Sequence, residues 1–85
     1  MFKAKVYVTL KKSVLDPKGK AVTQTLHNLG FNEVKETRIS KFIELTLDTD
    51  NKMNAEKQID KICKKVLVNP NIETYSFQVE KYEEN

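Results

Sequence analysis

The chain has 85 residues and a mass of 9.9 kDa, 39% of it hydrophobic, which allows one small core and a single domain over 1–85 and leaves too little chain for a cofactor-binding catalytic fold. Two glycines and two prolines exclude a low-complexity linker, apolar runs of only a few residues span no bilayer, and one cysteine, Cys63, builds neither a disulfide nor a zinc site alone. The formal net charge is +3, but residues 1–20 carry six lysines and one aspartate, a local +5 that suits an acidic partner or phosphates, or simply a solvated strand face. No charged leader followed by an apolar stretch opens the chain, so a cytoplasmic location is expected.

The first segment alternates with period two: Phe2, Ala4, Val6, Val8 and Leu10 against Lys3, Lys5, Tyr7, Thr9 and Lys11. That pattern predicts a half-buried strand. A loop over 12–15 leads to Asp16-Pro17, a helix-start pair, because Asp16 can accept from free backbone N–H groups and Pro17 suits the first helical position. Val22, Leu26 and Leu29 then recur at four and three residues, one apolar stripe on a helix over 17–29. Gly30 stands where a left-handed cap is needed.

The largely polar stretch Glu33 to Ile39 is predicted as an edge strand, joined by a tight hairpin near Ser40 to a strand over 41–47. In that strand Ile43, Leu45 and Leu47 oppose Phe42, Glu44 and Thr46. Asp48-Thr49-Asp50-Asn51 offers several N-caps for a second helix over 53–67, with Ala55, Ile59, Ile62, Cys63 and Val66 as its buried stripe. Asn69-Pro70-Asn71 breaks it. A last strand over 72–82 sets Tyr75, Phe77 and Val79 against Thr74, Ser76, Gln78 and Glu80, with a frayed tail over 83–85.

The order β-α-β-β-α-β predicts an α+β, ferredoxin-like fold: a four-stranded antiparallel sheet with both helices on one face. The other face would show Tyr7, Thr9, Phe42, Thr46, Thr74, Ser76 and Gln78, a surface suited to self-association. Catalytic groups are sparse. His27, the single histidine, lies beside the first helix's apolar stripe with no nucleophile motif near it, and Cys63 reads as a small core residue. The pairs Asp48/Asp50 and Glu83/Glu84 lack companion metal ligands, and Gly19 and Gly30 make no phosphate loop. No catalytic, cofactor-binding or metal residues are expected. An RNA-recognition sheet of this topology would need aromatics beside glycine on a central strand; here Phe42 and Tyr7 stand with Glu44 and no glycine.

Three segments carry a family resemblance. Val6-Tyr7-Val8-Thr9-Leu10-Lys11, then Val14-Leu15-Asp16-Pro17-Lys18-Gly19-Lys20-Ala21 with Leu26-His27-Asn28-Leu29-Gly30-Phe31, and finally Asn69-Pro70-Asn71-Ile72-Glu73-Thr74-Tyr75-Ser76-Phe77 resemble the PurS family. The family is the small subunit of phosphoribosylformylglycinamidine synthase in de novo purine biosynthesis. Ser13 and Ser40 stand where the family often has glycine. The resemblance implies a non-catalytic adaptor that joins a PurL-type synthetase to a PurQ-type glutaminase and supports ammonia transfer. ATP and magnesium would be used by the synthetase, and the adaptor would be a dimer or dimer of dimers, with no nucleic-acid or membrane partner. The isolated subunit is expected to have no turnover of its own. A small-molecule-binding regulatory domain of the ACT type shares the topology and remains the alternative, ahead of an RNA-binding module.

Within the resembling loop, Gly19 is the residue that capping does not explain, since glycine in a first helical turn costs up to about 1 kcal/mol relative to alanine. Close approach of another backbone or a ligand is the usual reason. Lys11, Lys12, Lys18 and Lys20 around it suggest a docking loop for the synthetase. On that reading Gly19→Ala should be neutral or stabilising.

Overall fold

The alternating segments form strands at the expected positions. In the computed structural model, which describes residues 1–82, they are β1 (Phe2–Leu10), β2 (Lys41–Leu47) and β3 (Glu73–Lys81). The helices are α1 (Pro17–Asn28) and α2 (Lys52–Ile62), the latter continuing into a π-helical turn over Cys63–Leu67. The sheet is three-stranded and antiparallel in the order β2-β1-β3, so Val6 lies between Ile43 on one side and Phe77 on the other. Among the described residues the expected fourth strand, over 33–39, does not form. The frayed tail predicted over 83–85 lies outside the described residues.

Residues 33–39 run without strand pairing because their hydrogen bonds go elsewhere. Ile39 N–H donates to Asp16 Oδ2 at 2.8 Å, Thr23 Oγ1 bonds Thr37 Oγ1 at 2.7 Å, and His27 Nε2 lies 2.7 Å from Val34 O. The Arg38 guanidinium donates to the carbonyls of Leu10, Lys11 and Val14. A polar stretch with no apolar face gains little from a sheet edge. Here the neighbouring loop and helix satisfy its polar groups instead. The ferredoxin-like expectation is therefore corrected: one edge strand is replaced by a coil clasped to α1, and no hairpin forms at Ser40.

The helix caps follow their sequence signals. Asp16 accepts from Gly19 N–H at 2.9 Å, with Pro17 at the first helical position. Gly30 has φ 97°, and bonds from Gly30 N–H to His27 O and from Phe31 N–H to Leu26 O close a left-handed C-terminal cap. Asn51 caps α2, accepting from Asn54 N–H.

Packing divides the elements. Ala4, Val6 and Val8 on β1 join Ile59 and Cys63 of α2 and the π turn in one core, flanked by Tyr75, Phe77, Val79, Ile43, Leu45 and Leu47. Tyr75 O–H donates to Asp60 Oδ1 at 2.6 Å and ties β3 to α2. Only α2 covers this face of the sheet; α1 projects away. The radius of gyration of 16.7 Å and extents of 50 × 33 × 15 Å record that projection, since a compact chain of this length has a radius near 12 Å. The predicted α1 stripe is accordingly not core: Val22 and Leu29 are exposed and Leu26 is half-buried. Val66 is a second departure, 76% exposed, because the π turn widens the helix and carries it off the buried face.

Candidate functional site

The sheet face opposite α2 presents the expected residues. Tyr7 sits between Phe42 and Ser76, with Tyr7 and Phe42 ring centroids 5.1 Å apart. Gln78 lies opposite Lys5, Thr46 opposite Lys3, and Thr9 opposite Thr74. Toward the other end the charges pair: Lys3 with Glu44 at 2.9 Å and Lys5 with Glu80 at 2.8 Å. The Lys5 salt bridge holds the Glu80 carboxyl below its ordinary value and raises that of Lys5. One end of the face is therefore a solvated charge ladder and the other an exposed aromatic pair.

The lysine-rich loop does not make one patch. Lys12 and Lys20 line a cleft of about 580 Å³ between the β1–α1 loop, α1 and residues 35–38. Lys11 lines a smaller depression at the end of β3, and Lys18 is exposed beside neither. Gly19 is buried, and a Cβ there would overlap the Thr37 carbonyl oxygen. The close approach that its placement requires is supplied by this chain's own backbone, so the neutral or stabilising Gly19→Ala expectation is corrected to a destabilising one.

Asp16 is the centre of this region. It is 7% exposed, accepts N–H bonds from Ile39 and Gly19, and those two donors, with Arg38 nearby, hold its carboxyl below the ordinary range. His27 is exposed, and its Nε2–H donates to the Val34 carbonyl, an anchoring role. Cys63 is fully buried in the core, and burial pushes its thiol pKa up, which makes it a packing residue and a poor nucleophile. Among the described residues no three His, Cys, Asp or Glu side chains group as metal ligands, and no helix is long and apolar enough to cross a membrane. Lys35, Arg38 and Ser13 also line the cleft. Sequence spacing gave no sign of Lys35 and Arg38, because residues read as an edge strand would not face α1.

Apolar surface is left uncovered on the projecting arm formed by α1 and residues 29–39, as it also is at Phe42, Met53 and Val66. Leu29 is 68% and Phe31 58% exposed, with Val22 beside them at 39%. On the sheet, Ile43, Leu45 and Leu47 of β2 remain half-exposed where no helix covers them.

Residues 3–81 match the family model described as PurS: phosphoribosylformylglycinamidine (FGAM) synthase. A Bacillus subtilis phosphoribosylformylglycinamidine synthase subunit PurS is 45% identical over 80 residues, 94% of each chain. The crystal structure of Methanocaldococcus jannaschii PurS, one of the subunits of formylglycinamide ribonucleotide amidotransferase in purine biosynthesis, superposes with a TM-score of 0.88 at 41% identity, over 98% of this chain and 100% of that one. A chain in the Thermotoga maritima PurLQS structure gives 0.85 at 32% identity, over 93% and 96%. With the family model spanning residues 3–81 and relatives at 41–45% identity over nearly the whole chain, the chain belongs to the PurS family, a subunit of phosphoribosylformylglycinamidine synthase in purine biosynthesis.

Proposed function

We propose that the chain is a non-catalytic adaptor that self-associates and holds a PurL-type synthetase and a PurQ-type glutaminase together, so that ammonia released from glutamine reaches the ATP- and magnesium-using synthetase in the cytoplasm. The observation that carries this reading is α1. A 12-residue helix is marginal alone, and this one projects from the sheet with Val22, Leu29 and Phe31 in water. Its occupant is a second copy of the chain. The half-exposed Ile43, Leu45 and Leu47 form the apolar sheet surface that α1 leaves bare in its own protomer, and a partner's α1 fits there. The aromatic end of the open face, Tyr7 and Phe42 with Thr9, Thr46, Ser76 and Gln78, offers a second contact through which dimers pair. Lys11 and Lys18, left outside the cleft, are the cations available to an acidic surface of the synthetase. The Thermotoga maritima PurLQS structure, to which a similar chain belongs, supports the same partners here.

Two measurements test this. Sedimentation at micromolar concentration should show a dimer or larger even-numbered species, and Val22→Asp/Leu29→Asp should weaken it by about a hundredfold while the monomer keeps its β-sheet spectrum. Glutamine-dependent amidine formation by the synthetase and glutaminase should require the chain. A monomer at that concentration removes the self-association, and full activity without the chain removes the adaptor.

A further inference from the structure

The cleft beside α1 has an electrostatic character that the subunit role does not use. Its lining includes Lys12, Lys20, Lys35 and Arg38 against Asp16 and Glu36. Both acids are already engaged: Asp16 by the N–H groups of Gly19 and Ile39, and Glu36 by Arg38 at 3.8 Å. The Arg38 fork is spent too, on the carbonyls of Leu10, Lys11 and Val14. The side-chain ammonium groups of Lys12, Lys20 and Lys35 have no ion pair or hydrogen bond among the described residues. Three unspent ammonium groups therefore border a concave space of about 580 Å³, within the range of small-ligand sites. Concavity focuses their field onto whatever enters.

We infer that this cleft binds a phosphoryl anion, either free phosphate or pyrophosphate or the phosphate of a small ester such as a nucleotide. The kind of cation left free selects the ligand. A carboxylate is best held bidentately by a guanidinium, and the Arg38 guanidinium is not available. Lysine ammonium groups act as point charges with rotatable donors, which suits the spread oxygens of a phosphoryl group. The Ser13 hydroxyl on the loop adds a neutral donor at the cleft wall. Val14 and Leu15 give the same wall apolar surface against which the organic part of an ester would rest. The clasp of Asp16 and Arg38 pre-sets the cleft, so the ligand orders little on binding.

The test is an amide NMR titration of the full-length protein with pyrophosphate, and separately with inorganic phosphate and with ADP, at about 50 mM salt, where screening is modest. Saturable shifts should centre on Lys12, Ser13, Lys20 and Lys35, and Lys12→Gln/Lys20→Gln/Lys35→Gln should weaken binding by about tenfold or more. The matched variant Lys52→Gln/Lys57→Gln/Lys61→Gln, on α2, should bind like the parent. ADP binding tighter than inorganic phosphate, with shifts extending to Val14 and Leu15, identifies an ester; equal binding identifies the free anion. The inference is overturned by the absence of saturation up to about 10 mM ligand, or by equal weakening in the two variants. It is also overturned if the cleft variant loses binding to the synthetase while the parent shows no phosphate response, which would make the cleft a protein-docking surface.

Discussion

Helices α1 and α2 are of nearly equal length, yet they are held by different means. α2 lays Ala55 and Ile59 on the sheet, both fully removed from water, and Cys63 in the following turn completes the contact. α1 buries no apolar side chain fully; its one buried residue is Gly19, and its ties to the coil at 33–39 are polar, through Asp16, Thr23 and His27, while Arg38 of that coil holds the β1–α1 loop. Hydrophobic burial is non-directional and large in sum, whereas each hydrogen bond contributes a modest net amount but fixes a geometry. The sheet half is therefore built to be stable. The arm is built to be shaped, with Val22 and Leu29 of its apolar stripe left exposed.

The largest effect should come from the sheet half. Ile59→Ala removes a fully buried side chain from the centre of the core and should cost about 2–5 kcal/mol in urea unfolding. A loss below about 1 kcal/mol would mean that the core collapses around the gap and that the two halves differ less than their burial suggests.

On the arm, Gly19→Ala should cost about 1–3 kcal/mol, because the new Cβ meets a backbone carbonyl that cannot swing aside as a side chain can. Hydrogen exchange should localise the damage, with the Ile39 amide losing protection and β1 and β3 amides keeping theirs. Uniform loss of protection would show the arm and sheet to be one cooperative unit.

How far each half could be read from residue order follows from the same division. Period-two alternation places β1, β2 and β3, and Asp16-Pro17, Gly30 and Asn69-Pro70-Asn71 punctuate the helices, because all of these are local signals. The buried place of Cys63 follows from helical spacing. The fate of 33–39 does not, since its anchors lie up to 28 residues back, at Leu10, Asp16 and Thr23. Nothing in a polar stretch says whether its N–H groups will meet a strand or a carboxylate. The basic cleft was hidden for that reason: Lys35 and Arg38 join Lys12 only once the coil turns along α1. The stripe on α1 was legible as a pattern, but Val22 and Leu29 meet no core in their own chain.

Acid should separate the halves more gently. Asp16 has its carboxyl held below its ordinary value of 3.8, chiefly by the Ile39 N–H and then by that of Gly19. A group lowered in this way contributes stability that is present above the ordinary value and is lost as pH falls through the folded one. Protonation removes an acceptor from both clasp bonds, so below about pH 4 the Ile39 amide should lose protection relative to its intrinsic exchange rate, ahead of the amides of β1. Asp60, Glu73 and Glu80 are also lowered, by Tyr75 O–H, the Asn69 N–H and Lys5 respectively, but α2 and β3, which carry them, keep the apolar core when those bonds go. Equal acid sensitivity of Ile39 and β1 amides would count against a polar arm on an apolar base.

The smallest effect expected is at Val66, and its smallness is the point. Helical spacing from Ile59 and Cys63 puts Val66 on the buried stripe, where loss of its side chain from an apolar site would cost about 1.5–3 kcal/mol. The π turn changes the phase. Val68 N–H bonds Cys63 O at 3.0 Å, five residues back, so Val66 swings into water while Val68 returns to the core. Val66→Lys should therefore leave urea unfolding within about 0.5 kcal/mol of the parent, as at other open surface positions. A loss above about 1.5 kcal/mol would mean that something covers this side chain, and its dependence on protein concentration would say what. If the loss shrinks on dilution, a second copy of the chain reaches the α2 end of the sheet as well as the arm. If it does not, the helix runs on without the π turn and Val66 belongs to the core after all.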